Sequence, residues 1–337
     1  MMLSLKNKKI LLFCSKFFNY ENEIKKELEG QGAIVDYFDE RFGNNSISKI
    51  IIRLHIVYLS SSFSKKYYNN IIENQLKEKY DYIFFINAET ILPEILKNFK
   101  KRYSSSEFIL YMWDSIKNKP KTKGLLKYFD KIYSFDKEDT FINKKIKFLP
   151  LFYIKSYAPK KVEKFLYDIS FIGTIHCDRF RILHELKKEC ISKNLKYYFY
   201  LFFQNKNIIL LKKIIDKNLN GLSSKDITTE KLTHKEIEEI YNKSKTIIDI
   251  QNFNQSGLTM RTFEIALGLR KKLITTNQNI KEYDFYNPNN ILIIDRNNIK
   301  IDYKFFQEEY VDLSEEFYEK YSLENWLKTI FRKRNEI

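Results

Sequence analysis

Arg261 and Glu264 stand three residues apart in the stretch Thr246 to Thr276, TIIDIQNFNQSGLTMRTFEIALGLRKKLITT. On a helix that spacing puts a guanidinium and a carboxylate on one face. The guanidinium can take phosphate oxygens through two parallel donors, and the carboxylate can accept both hydroxyls of a ribose. An ordinary surface ion pair between them is the plainer alternative. Just upstream, Ser256-Gly257-Leu258-Thr259 opens the same helix. The first N–H groups of a helix and the positive end of its dipole favour an anion there. Together these residue types suit a ligand that carries both phosphates and sugar hydroxyls.

Strands must hold that helix in place. Thr246 to Ile250 has the β-branched content of a buried parallel strand, and Lys272 to Thr276 supplies the next one. The helix between them is then a crossover. Met260, Phe263, Ile265, Ala266 and Leu267 turn to the sheet, and Arg261 with Glu264 faces the strand ends, where open α/β sheets bind ligands.

The whole chain alternates short apolar runs with amphipathic stretches, a βα pattern. Strands are expected at 10–15, 34–38, 82–86, 108–112 and 132–135, with an edge at 148–150, and helices at 20–29, 46–59, 65–79 and from Pro93. After a polar, basic linker over 151–165 come strands at 168–172, 197–202, 246–250, 272–276 and 291–294. Helices are expected there at 179–192, 208–217, 233–243 and 322–332. Thr233 and Glu236 have capping-box spacing. The division expected is 1–155, 166–320 and a final helix, 321–337, packing back on the first domain.

In the first half, chemistry-bearing residues follow the strands: Asp39-Glu40-Arg41, Asn87-Ala88-Glu89 and Trp113-Asp114-Ser115. Asp114, next to a bulky apolar strand and a tryptophan, ranks first as a general base for a hydroxyl, and Glu89 second. A helix cap or a loop carboxylate paired with lysine is the alternative for each. His176 follows a glycine loop and could donate to a phosphate or leaving group.

The order strand, Gly257-x-x-x-Arg261-x-x-Glu264-x-x-x-Gly268, strand ending Ile274-Thr275-Thr276 is similar to the donor-binding half of the GT-B glycosyltransferases. It most resembles the spore-maturation and lipopolysaccharide or capsule biosynthesis branch, which carries a segment like Tyr167–Thr174 followed by an arginine, here Arg179. The resemblance spans Tyr167 to Asp295 and is architectural over the first half. It implies two Rossmann-like α/β domains facing across a cleft, acceptor first and donor second. It assigns the ribose to Glu264, the diphosphate to Gly257, Thr259 and Arg261, and close approach of the donor phosphates or the acceptor to Gly173 and Thr174. Gln251, Ser256 and Leu258 belong to the same expected binding loop. Many relatives carry a second glutamate eight residues before Glu264, where this chain has Ser256.

The activity that the resemblance implies is that of a hexosyltransferase, moving sugar from a nucleotide-diphosphate donor to a glycan or lipid-linked acceptor. No metal or other cofactor is expected, because Asp-x-Asp is missing from the post-strand loops and no His or Cys cluster has ligand spacing. Arg179, Arg261 and the 257–259 amides would then share the leaving diphosphate.

Length and composition agree with this reading. A chain of 337 residues fits two α/β domains of about 150 each. With 44% hydrophobic and 30% charged residues it is a folded protein, not a disordered one. Net charge is +16. Residues 1–166 carry 31 Lys+Arg against 19 Asp+Glu, and residues 167–337 carry 28 against 24. The basic first half suits an anionic membrane leaflet, and so a peripheral place on the inner face of the membrane. The apolar run 47–59 is too short to span a bilayer, so it is read as a core helix or one lying on the surface. MMLSLKNKK leads directly into a strand with no cleavage site, and three widely spaced cysteines point to a reducing, cytoplasmic setting.

Two rival readings stand beside this one. A nucleic-acid binder would use the 59 basic residues and 24 Tyr with 28 Phe, yet the aromatics fall within strand and helix patterns and no RNA-binding motif appears, so no nucleic-acid partner is expected. A nucleotide-sugar epimerase or hydrolase of the same fold is the other, although no P-loop and no GxGxxG is present.

Overall fold

A computed structural model describes residues 5–43, 57–160, 164–203, 213, 216–253 and 255–332. The chain forms two compact units, one of Met1–Leu151 with Leu323–Ile337 and one of Phe152–Ser322.

In unit 1 six parallel strands lie in the order β2-β1-β3-β4-β5-β6. They are β1 (Lys9–Cys14), β2 (Ile34–Phe38), β3 (Tyr82–Ile86), β4 (Glu107–Met112), β5 (Lys131–Ser134) and β6 (Ile146–Phe148). The sequence YIFFI of β3 is buried on both faces, which is why it reads as an unbroken apolar run rather than an alternation. Phe13 and Phe85 stack at 4.5 Å across adjacent strands. They lie in a core with Leu96, Phe99 and Phe108. Helices α1 (Tyr20–Gly30), α2 (Val57–Asn74) and α3 (Pro93–Arg102) belong to this unit. Pro93 sits in the first turn of α3, where a missing N–H costs nothing.

One continuous helix, α2, replaces the separate helices expected at 46–59 and 65–79, because the Ser-rich join between them holds neither glycine nor proline. The expectation for 46–56 lies outside the described residues. A helix at the carboxyl end, α9 (Leu323–Phe331), belongs to the same unit. Its Trp326 meets Tyr111 at 4.6 Å and its Phe331 meets Phe84 at 5.5 Å, both edge-on.

In unit 2 five parallel strands follow the order β11-β10-β9-β7-β8. They are β7 (Tyr167–Thr174), β8 (Tyr197–Phe202), β9 (Ser244–Asp249), β10 (Lys272–Thr275) and β11 (Ile291–Ile293). Its helices are α4 (Arg179–Ser192), α5 (His234–Asn242), α6 (Met260–Phe263), α7 (Lys304–Gln307) and α8 (Glu315–Lys320). The core gathers Ile169, Phe171, Leu183, Leu186, Ile248 and Ile274. The capping box forms as expected: the Thr233 hydroxyl accepts from Glu236 N at 3.3 Å, and the Glu236 carboxylate accepts from Thr233 N at 2.7 Å.

Beyond α6 the helix loosens into a π turn over Glu264–Gly268, where Leu269 N donates to Glu264 O at 2.7 Å. A Cβ on Gly268 would lie 3.0 Å from Tyr157 O, so the chain segment that opens this unit can approach only a glycine. The helix expected at 208–217 lies outside the described residues except at 213, 216 and 217. Among the described residues, no helix is long and apolar enough to cross a membrane.

Candidate functional site

In unit 2 the chain order reverses between β7 and β9, which pair with each other although β8 intervenes in sequence. Such a switch point is where loops splay and ligands enter. Gly173 and Thr174 end β7 there, and the loop after β9 carries Gln251 to Thr259. Gly173 is required by close packing, because a Cβ would stand 2.8 Å from the Phe171 ring and 3.5 Å from an Arg261 nitrogen.

Two guanidiniums bridge this switch point. Arg261 donates from Nη2 to Ile172 O at 2.7 Å, so a residue after β9 grips β7. Arg179, at the start of α4, donates to Thr174 O at 2.8 Å and also to Ile250 O, so a residue after β7 grips the end of β9. Both lie over the ring of Phe171, at 5.4 and 5.5 Å from its centroid. Burial and the neighbouring Arg261 charge lower the Arg179 pKa to about 10. For Arg261 burial opposes the charge, but Tyr241, Asp249 and Glu264 outweigh it and raise the pKa. Both stay cationic at neutral pH, which suits a dianionic ligand.

Asp249 supports this arrangement and was not singled out in the sequence. It is 2% exposed, and its Oδ2 accepts from the hydroxyls of Thr259 at 2.6 Å and Thr262 at 2.7 Å. Its Oδ1 lies 3.8 Å from Arg261 Nη1. Thr259 also caps α6, accepting from Thr262 N. Its hydroxyl proton is thus committed to Asp249 and is not offered outward. A carboxylate ending the otherwise apolar run Thr246-Ile247-Ile248 was the signal that could have found Asp249.

The rest of the expected loop is braced from beneath. Asn277 Nδ2 donates to Ser256 O and Gly257 O at 3.1 and 3.3 Å, and Asn279 Nδ2 to Ser256 O at 3.2 Å. Leu258 is buried. The Gln251 side chain accepts from the Thr276 hydroxyl, while Gln251 O accepts from Arg296 Nη2 at 2.6 Å. Arg296 also holds both oxygens of Asp178, at 2.7 and 2.9 Å. One arginine that the sequence did not mark therefore ties the loops after β7, β9 and β11 together. Glu264 is 6% exposed at the start of the π turn, and its charge acts on Arg261, Tyr241 and Tyr157. His176 reaches solvent, yet surrounding protein and then the charges of Arg179 and Arg261 lower its pKa to about 4. It is a neutral imidazole at pH 7, able to donate one hydrogen bond.

Asp114 and Glu89 belong to unit 1. Glu89 meets Lys119 Nζ at 2.5 Å and Arg41 Nη2 at 3.2 Å. Burial works to raise its pKa, but these two cations prevail and lower it. Asp114 lies in polar surroundings instead of the apolar ones expected, accepting from Asn118 Nδ2 at 2.9 Å with Lys119 Nζ at 3.8 Å. Beneath them Glu40 is fully buried, its Oε1 accepting from Thr90 N at 2.6 Å. Burial, aided by the Glu89 charge, raises its pKa to about 8.

No family model and no curated protein matches the chain. Solved structures do match it along its length. A glycosyltransferase from Rickettsia africae is 12% identical with a TM-score of 0.57, covering 97% of this chain and 99% of its own. The lipopolysaccharide outer core galactosyltransferase WaaB is 11% identical at 0.52, covering 96% and 99%. HepE from Anabaena, solved with UDP-glucose, is 9% identical at 0.60, covering 98% and 100%. The fold is that of the GT-B glycosyltransferases, with two Rossmann-like parallel-sheet domains.

Proposed function

We propose that the chain is a glycosyltransferase that moves a hexose from a nucleotide-diphosphate donor to a hydroxyl of a cell-surface glycan or lipid-linked acceptor. The observation that carries this reading is the pair of guanidiniums, Arg179 and Arg261, astride the β7/β9 switch point beside Gly173. In this reading the acceptor oxygen attacks the anomeric carbon, the bond from that carbon to the phosphate oxygen breaks, and the acceptor proton passes to a carboxylate. Asp114 is the base, since Glu89 is already held by two cations and accepts a proton poorly. Negative charge gathers on the departing diphosphate. Arg261, with Arg179 behind it and the amides of Gly257 to Thr259 beside it, stabilises that charge without a metal. Glu264 takes the ribose hydroxyls, Gly173 and Thr174 admit the phosphates, and neutral His176 donates to a phosphate oxygen. Gln251, Ser256 and Leu258 shape the loop.

Likeness in fold to HepE, solved with UDP-glucose, supports a nucleotide-sugar donor. The basic charge of residues 1–166 supports work at the cytoplasmic face of a membrane, on a lipid-carried acceptor. A thermal-shift panel of UDP-, GDP-, ADP-, CMP- and dTDP-sugars tests the reading, because a ligand that binds only the folded state raises Tm with its affinity. One nucleotide class should raise Tm in wild type and not in Arg261→Ala. A flat response to every donor would remove the proposal.

A further inference from the structure

Unit 1 has its own reversal of chain order, between β1 and β3, and that place carries aromatic rings. Phe17 and Phe18 follow β1 and are 48% and 59% exposed. Large apolar side chains side by side in solvent mark a contact surface. Their rings meet edge-on at 4.6 Å. Phe17 also lies 6.1 Å from the ring of Trp113, which follows β4. The backbone builds this cluster at a cost: Phe18 and Asn19 both take left-handed conformations, at φ 48° and 63°. Asparagine tolerates that region, but a phenylalanine there is strained and is kept only where its surroundings hold it. Part of that support is visible. Phe17 N donates to Glu21 at 3.1 Å, and Trp113 N donates to Asn87 Oδ1 at 3.1 Å.

We propose that Phe17, Phe18 and Trp113 form the platform on which a sugar ring of the acceptor rests, so that the acceptor is recognised as a carbohydrate. This inference rests on the transferase reading and names the acceptor class for it. A pyranose has an apolar C–H face and a rim of hydroxyls. The platform supplies apolar rings, and at its edge Asp114 and Asn118 supply an acceptor and a donor for that rim. Glu21, buried beneath Phe17, is committed to the Phe17 N–H, and Asp114 is paired with Lys119 at 3.8 Å, so the polar edge of the platform offers hydrogen-bonding groups rather than a net charge.

Trp113 makes the test direct, because the only other tryptophan, Trp326, is buried in the core and can be replaced in a Trp326→Phe background. Methyl glycosides of glucose, galactose, mannose and N-acetylglucosamine serve as probes, with phosphatidylglycerol vesicles in parallel. At least one glycoside should change Trp113 emission saturably, and Phe17→Ala or Phe18→Ala should weaken that response about tenfold. Both are surface changes, and an unaltered circular dichroism spectrum shows that each variant folds. Three results overturn the proposal: no response to any glycoside, an equal response in the alanine variants, or a response to vesicles alone. Donor binding is read separately by the nucleotide panel. Loss of that signal with glycoside binding intact would reject the transferase reading and leave the platform standing.

Discussion

The five strands of unit 2 repeat the order of the first five of unit 1, which adds a sixth, yet different groups dominate the two carboxyl edges. In unit 2 the edge is built from cations locked to backbone carbonyls, Arg261 on Ile172 O and Arg179 on Thr174 O and Ile250 O. In unit 1 it is built from carboxylates whose protons are set by their surroundings. Glu89 is kept ionised by Arg41 and Lys119, while Glu40 beneath it is pushed to about 8 by burial. The same scaffold thus holds cations fixed on backbone carbonyls in one unit and carboxylates in contrasting protonation states in the other.

Removing a fixed cation should do the most damage to donor binding. Arg261→Ala is expected to weaken UDP-sugar binding, if that is the donor class found, by roughly 30-fold or more in calorimetry. Glu89→Gln should leave that affinity within about threefold. A larger effect from Glu89 than from Arg261 would break the comparison. Next comes the support of the cation. Asp249→Ala leaves the buried Thr262 hydroxyl and the part-buried Thr259 hydroxyl without their acceptor and removes the carboxylate beside Arg261, and should cost about 2–4 kcal/mol in urea denaturation. Smaller again, Gly173→Ala forces a methyl against the Phe171 ring and should cost about 1–3 kcal/mol by the same measurement.

The adjustable edge is sharpened by pH. Glu40 holds its proton more tightly folded than unfolded, so the native state binds more protons between the ordinary glutamate range and about 8. Stability from that proton is complete at acid pH and is lost as pH rises through about 8. Wild type should therefore lose Tm between pH 5 and 8 relative to Glu40→Gln, which carries no titrating group there. Parallel curves would show that Glu40 is not the titrating group. His176, neutral from about pH 5 upward, predicts the smallest effect: donor affinity that does not follow a histidine titration between pH 6 and 8.

Much of the fold was legible because parallel strands buried on both faces leave uninterrupted apolar runs. YIFFI in β3 and the run Thr246 to Ile248 in β9 are of that kind. The Thr233 cap was legible because its chemistry is local, confined to four residues. Arg261 and Glu264 were marked by their types and spacing alone. Arg296 and Asn277 were not, because their partners lie at distances in sequence that no local pattern records, and Asp249 was passed over although it ends an apolar strand. Arg296 reaches Asp178 over 118 positions. The π turn escaped for a different reason: the segment EIALG contains ordinary helix formers, and the wider turn registers only in the bond from Leu269 N to Glu264 O.

Phe171 lies under both arginines and against Gly173, so one fully buried ring supports three of the residues that the proposed donor site brings together. Under the proposed transferase reading, fitting the site to a bulkier or differently charged donor cannot treat these positions as independent knobs. Libraries that vary 173, 179 or 261 should co-vary 171, and a trimmed ring at 171 is where a permissive variant would arise.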